Sequence, residues 1–120
     1  MNKKTLVLGA SPNPERYAYK ATVLLQNYHH TVVAVGQKEA DIEGLPILVG
    51  TPAVEGIDTV TLYLNPSRQE AYYGYILGLS PKRIIFNPGT ENPTLVKLAN
   101  EKGIETEYAC TLVLLRTNSY

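Results

Sequence analysis

At 120 residues, with 11 Lys and Arg against 11 Asp and Glu, the chain carries no formal net charge. That balance lacks the basic excess on which nucleic-acid binding draws, yet it leaves room for a few local cations facing a small polyanion. A single cysteine, Cys110, excludes an intrachain disulfide and a multi-cysteine zinc site, and no apolar run approaches the roughly 18 residues of a membrane span. The length fits one domain over residues 1–120. The apolar stretch after Met1-Asn2-Lys3-Lys4 is too short for a secretory leader, so the cytoplasm is the expected compartment.

Thr5-Leu6-Val7-Leu8-Gly9 is a short apolar run closed by glycine, the pattern of a strand buried on both faces. Tyr17, Ala21, Leu24, Leu25 and Tyr28 then recur at helical spacing. Thr31 to Val35, ended by Gly36, gives a second strand. The polar residues Glu39, Asp41 and Glu43 predict a solvated loop. Leu45 to Val49 is confined by Pro46 to an edge strand or a loop. Residues 58–64 form a third strand. A helix is expected over 67–79, with Ser67 as N-cap and Glu70 as its capping-box partner. Arg83 to Phe86 is a fourth strand. Asn92-Pro93 opens a helix whose apolar face is Leu95, Leu98 and Ala99, and Gly103 stops it. Residues 104–109 alternate in character, as at a sheet edge. Thr111 to Arg116 is very apolar and reads as a final strand or a short helix that covers the sheet or pairs with a second copy. The chain is expected to be a monomer or a weak homodimer. Strands alternating with helices specify an α/β, Rossmann-like, doubly wound and mainly parallel sheet of five to six strands.

In such sheets ligands bind beyond the carboxyl ends of the strands, where the strand order switches. Four turns are therefore of interest: Gly9-Ala10-Ser11-Pro12-Asn13-Pro14, Gly36-Gln37-Lys38, Asn65-Pro66-Ser67 and Asn87-Pro88-Gly89-Thr90. The first has the small residues that let backbone amides approach a phosphate, with Ser11, Arg16 and Lys20 adding a hydroxyl and charge. It lacks the second and third glycines of a dinucleotide fingerprint, because Ser11 and Pro14 stand there. A tight structural turn is the competing reading. Lys38 takes the place near which an acid would grip the ribose of NAD, and a cation suits a phosphorylated ribose such as that of coenzyme A. Its alternative is a solvated surface lysine. Asn65-Pro66 and Asn87-Pro88-Gly89 either end strands as ordinary turns or form walls of an adenine and pantetheine groove.

Together these turns resemble the small stand-alone CoA-binding domain family, which is related to the nucleotide-binding domain of succinyl-CoA synthetase α subunits. Gly9-Ala10-Ser11-Pro12-Asn13-Pro14 with Tyr19-Lys20 is similar to that family's first loop and helix start. Val35-Gly36-Gln37-Lys38 followed by Ile42-Glu43-Gly44 is similar to its Val-Asn-Pro-Lys and Ile-x-Gly segment. Asn87-Pro88-Gly89 with Glu91-Asn92 stands where the family has Gln-Pro-Gly and an acidic/Asn pair, and Cys110 where it often has a cysteine. Gly36-Gln37 and Asn87 depart from the family pattern. The resemblance implies binding of coenzyme A or acyl-CoA through Gly9, Ala10, Ser11, Asn13, Arg16, Tyr19, Lys20, Lys38, Asn65, Pro66, Asn87, Pro88 and Gly89. An NAD(H)- or NADP(H)-sensing module, with Lys38 reading the 2′-phosphate, is one alternative. A small interaction protein with a decayed pocket is the other.

A catalyst would need a nucleophile with a base, paired carboxylates or a metal cluster. Adjacent His29 and His30 precede a strand, face opposite ways and fit a solvated turn. Cys110 fits a buried thiol, and Tyr72, Tyr73 and Tyr75 fit half-buried packing on the sheet. In the synthetases a separate domain carries the phosphorylated histidine. Binding without chemistry is the expectation.

Overall fold

A computed structural model describes residues 2–120. Its centre is a seven-stranded sheet in the order β3-β4-β2-β1-β5-β6-β7, one or two strands larger than the sequence suggests. The strands are β1 (Thr5–Ala10), β2 (Val32–Gly36), β3 (Ala40–Ile42), β4 (Leu45–Val49), β5 (Thr59–Leu62), β6 (Arg83–Phe86) and β7 (Glu105–Tyr108). All pair in parallel except β3, which runs antiparallel to β4. The fold is α/β and mostly parallel. Its strand order switches at β1, which has β2 on one side and β5 on the other.

Among the described residues, five α-helices cover the sheet: α1 (Tyr17–Asn27), α2 (Pro66–Gln69), α3 (Tyr73–Gly78), α4 (Pro93–Glu101) and α5 (Thr111–Arg116). Alternate residues of each strand point to opposite faces, and the core divides accordingly. Leu6, Leu8, Val60, Leu62, Ile84 and Phe86 pack with Ile76, Leu95 and Ala99 of α3 and α4. Val7, Ala34 and Ile47 pack with Ala18 and Leu25 of α1 and Leu115 of α5. Residues 50–58 have no helix. This segment brings the chain from β4 to β5 with Val54 and Ile57 seated in the first cluster.

Several local expectations are corrected. The polar loop around Asp41 contains β3, which closes a two-residue hairpin onto β4. Glu43 and Gly44 both have positive φ, 47° and 90°, as the tight turn of a twisted hairpin requires, and the Gly44 N–H donates to Asp41 Oδ2 at 2.8 Å. β4 is an interior strand. Pro46 is tolerated because it falls one residue before the stretch registered with β2, which begins at Ile47. The helix expected over 67–79 is broken into α2, a 3₁₀ turn (Glu70–Tyr72) and α3. Its N-cap is Asn65, not Ser67: Asn65 Oδ1 accepts from the Arg68 N–H at 3.1 Å, and Pro66 takes the first helical position. On α1 the buried stripe is Ala18, Ala21, Thr22 and Leu25, while Tyr17 is 67% and Tyr28 43% exposed. The apolar tail folds back as α5 against α1. Tyr72, Tyr73 and Tyr75 are half-buried, with Tyr75 Oη donating to the Pro52 carbonyl at 2.7 Å. Among the described residues no helix is long and apolar enough to cross a membrane.

The amino ends of the strands are tied by a polar cluster. Tyr120 Oη and Thr5 Oγ1 are 2.6 Å apart, and Lys3 Nζ donates to the Tyr120 carbonyl at 2.6 Å. The buried Arg83 guanidinium lies 4.5 Å from the centre of the Tyr120 ring. His30 belongs to this cluster rather than to a solvated turn: its ring lies 5.0 Å from that of Tyr120, and its Nδ1 accepts from the Lys3 N–H at 2.9 Å. Burial, with the nearby charges of Lys3 and Arg83, holds the His30 pKa below the ordinary 6.5. The unfolded chain therefore binds a proton more readily at this position. Stability is full above about pH 6.5 and falls as the pH drops from there toward the depressed folded value. Urea unfolding at pH 7.5 and 5.5 is expected to show a lower midpoint at 5.5, and His30→Gln should flatten the difference.

Candidate functional site

A cleft of about 820 Å³ lies at the carboxyl ends of β1, β2, β5 and β6. Its floor is built by glycine. β1 is registered with β2 at Leu8↔Val35 and again at Ala10↔Gly36, so Gly9 is an extra residue, a bulge. Its φ of 101° is readily adopted only by glycine, and an added Cβ would stand 2.9 Å from the Tyr63 carbonyl carbon. Gly36 is tighter still, since a Cβ there would lie 2.4 Å from the Ala10 carbonyl oxygen. Close backbone packing at these two positions is what brings the first two turns together.

Of the residues singled out from sequence, Gly9, Ala10, Ser11, Arg16, Lys38, Asn65, Pro88 and Gly89 line the cleft. Within the first turn, Ser11 Oγ accepts from the Asn13 N–H at 3.1 Å, which leaves the serine proton free to donate. Asn13 shapes the loop from outside the lining, its Oδ1 accepting from the Glu15 N–H at 3.0 Å. Tyr19 packs into the second core cluster, and Lys20 Nζ lies 5.5 Å from the centre of the Tyr17 ring. Pro66 starts α2. Asn87 is buried and committed: its Nδ2 donates to Thr61 Oγ1 at 2.6 Å and to the Leu62 carbonyl at 2.9 Å, while its Oδ1 accepts from the Thr111 N–H at 2.9 Å.

The cleft also contains residues that the sequence did not single out as ligand contacts, among them Tyr17, Gln37, Tyr63, Arg68 and Tyr72. Arg68 sits inside an expected helix with no motif to mark it, and the sequence assigns Tyr72 to packing on the sheet rather than to base stacking. The only ion pair among the described residues is Arg83 with Glu107, at 4.0 Å. Arg16, Lys38 and Arg68 thus face one cleft with no carboxylate that close. α1 also starts there: Glu15, Arg16, Tyr17 and Ala18 line the cleft, and no side chain caps the helix, whereas Asn65 caps α2 and Asn92 caps α4. Uncapped N–H groups and unpaired cations are complementary to an anion.

A second polar network stiffens the opposite wall. Gln69 Nε2 donates to the Leu64 and Thr90 carbonyls, both at 2.8 Å. Asn92 Nδ2 donates to Gln69 Oε1 at 2.9 Å and to Tyr73 Oη at 2.8 Å. The turns after β5 and β6 are thereby joined. Tyr63 lines the cleft, and its hydroxyl is buried with no hydrogen-bond partner, while the nearby Thr61 and Thr111 hydroxyls bond one another at 2.8 Å. Burial pushes its pKa up, so it stays protonated. Cys110 is half-buried rather than buried and precedes α5.

A family model described as the CoA binding domain matches residues 3–116. The chain belongs to the CoA binding domain family. A crystal structure of an uncharacterized protein is 48% identical over 100% of this CoA binding domain and 99% of that chain, with a TM-score of 0.97. A hypothetical protein from Pyrococcus horikoshii OT3 is 25% identical over 96% of this chain and 82% of its own, with a TM-score of 0.80. The structure of cell-free ID.343 from Thermus thermophilus, 22% identical over 99% of this chain and 91% of its own, shares the fold at a TM-score of 0.86. A search of the curated proteins finds no match.

Proposed function

We propose that the cleft binds coenzyme A or an acyl-CoA without acting on it chemically. The observation that carries this reading is the uncapped start of α1 beside the Gly9 bulge, flanked by the unpaired cations Arg16 and Lys38. The diphosphate would lie over Gly9, Ala10 and Ser11 against the first turn of α1, where free N–H groups and the helix dipole favour negative charge. Lys38 follows β2, the place beside which Rossmann-type sheets hold a ribose, and a cation there suits a ribose phosphate. Asn65, Pro88 and Gly89 would flank the pantetheine arm. Membership of the family supports the same ligand. His29 and His30 precede β2 and so stand at the opposite ends of the strands, away from the cleft, which favours binding over acid–base chemistry.

Calorimetric titration with CoA, dephospho-CoA and NADPH tests the reading. CoA is expected to bind, and dephospho-CoA, which lacks the ribose phosphate, to bind about tenfold more weakly, as for one lost charge-assisted contact. Lys38→Glu should weaken CoA more than dephospho-CoA. Tighter binding of NADPH than of CoA would replace this ligand by NADP(H). Binding of none of the three at millimolar concentration would leave the pocket without a nucleotide role.

A further inference from the structure

One cation of the cleft has no part in the reading above. Arg68 lines the cleft and is exposed. The chain that carries it leaves β5 directly beside the Gly9 bulge: the Tyr63 N–H donates to the Leu8 carbonyl at 2.8 Å, and a Cβ on Gly9 would stand 2.9 Å from the Tyr63 carbonyl carbon. β5 and β2 pair with β1 on opposite sides. Arg68 and Lys38 therefore flank the bulge from either side, each following a strand about 4.8 Å from β1. The backbone under Arg68 is fixed. Its N–H donates to Asn65 Oδ1 at 3.1 Å, and the next residue, Gln69, is fully buried with its amide on the Leu64 and Thr90 carbonyls. Among the charged residues lining the cleft, Arg16, Lys38 and Arg68 stand against one carboxylate, Glu15.

We propose that Arg68 is the residue by which the cleft distinguishes a nucleoside diphosphate, free or esterified, from a monophosphate. Its guanidinium binds the second phosphate, the one farther from the adenosine, across Gly9 from Arg16. The proposal rests on the CoA reading above, which sets the ribose at Lys38 on the β2 side and so runs the diphosphate from β1 toward β5. A guanidinium presents a planar fork that matches two oxygens of one phosphate with parallel hydrogen bonds. A monophosphate ends over β1 and leaves that fork hydrated.

The test is a competition titration. CoA is titrated first, and ADP and AMP then compete with it; these two differ only in the second phosphate, and neither carries pantetheine. ADP is expected to compete about fivefold to tenfold better than AMP, as for one charge-assisted contact at an open site. Added salt should narrow that preference. Arg68→Gln should erase it and leave the AMP affinity unchanged, while Arg68→Lys, with charge but no fork, should keep part of it. ADP that competes no better than AMP in the native protein overturns the proposal. So does an Arg68→Gln variant that keeps the preference, or that weakens AMP as much as ADP. Failure of CoA itself to bind overturns the CoA reading and this proposal with it.

Discussion

Gly36→Ala is expected to destabilise the fold by about 2–3 kcal/mol, since overpacking of a closed site typically has an effect of this size. For a chain of this length that corresponds to a fall of roughly 8–12 °C in melting temperature. The added methyl would meet the Ala10 carbonyl oxygen at 2.4 Å and Ile47 Cγ2 at 2.9 Å. The first of these is backbone, held in the ladder between β1 and β2, so relief requires the two strands to part at their carboxyl ends. The damage therefore falls on the floor of the cleft as well as on stability, and ligand affinity should drop beyond what the folded fraction explains. Gly9→Ala combines a 2.9 Å approach to Tyr63 with a φ of 101°, and a similar loss is expected. Gly74→Ala is the control. It lies in α3 with ordinary φ and open space around it, and should raise stability by about 0.5–1 kcal/mol. Thermal and urea unfolding followed by circular dichroism measure all three. An unchanged midpoint for Gly36→Ala would mean that β1 and β2 do not hold the close approach described.

The second large effect is expected at Asn87. Asn87→Ala leaves the Leu62 carbonyl and the Thr111 N–H buried without their partner and removes one of two bonds to Thr61 Oγ1. Orphaned buried groups lose about 1–3 kcal/mol each, so a total of about 3–5 kcal/mol is expected. The Thr111 N–H belongs to the first turn of α5, so Asn87 caps that helix from the end of β6. Hydrogen exchange should accordingly accelerate in residues 111–116 before it does so in α4. Asn87→Asp keeps the acceptor for Thr111 but loses the donor and places negative charge against the Leu62 carbonyl, so it should rescue little. Normal stability with lost CoA binding would instead make Asn87 a ligand contact.

The sequence showed the parts of the fold whose burial is two-sided. Leu6, Val7 and Leu8 had to be apolar because α1 and α5 cover one face and α3 and α4 the other, and Ile84, Ile85 and Phe86 are likewise fully buried. Asn92-Pro93 was readable because cap and first-turn chemistry are local. β3 was hidden because three residues give no periodicity, and its turn is Glu43-Gly44 rather than a commoner Asn-Gly pair. Ser67 and Glu70 had the spacing of a capping box, but the side chain of Asn65 reaches the same helix start ahead of a proline, and the rival cap prevails. The four turns were legible as a set. Which members face the cleft was not, because that depends on partners distant in sequence: Asn87 is claimed by Thr61 and Thr111, and Tyr19 by the core. Arg68 was invisible for the opposite reason, since a charged residue on a helix ordinarily means solvent.

The bonds of Gln69 have a mechanical consequence. By holding the Leu64 and Thr90 carbonyls, that amide locks one jaw of the cleft into a single block with α4, through Asn92. The facing jaw is exposed chain, residues 12–16 and 37–39. An occupant would therefore rest against one cross-braced plate, with its other side turned to loops open to solvent.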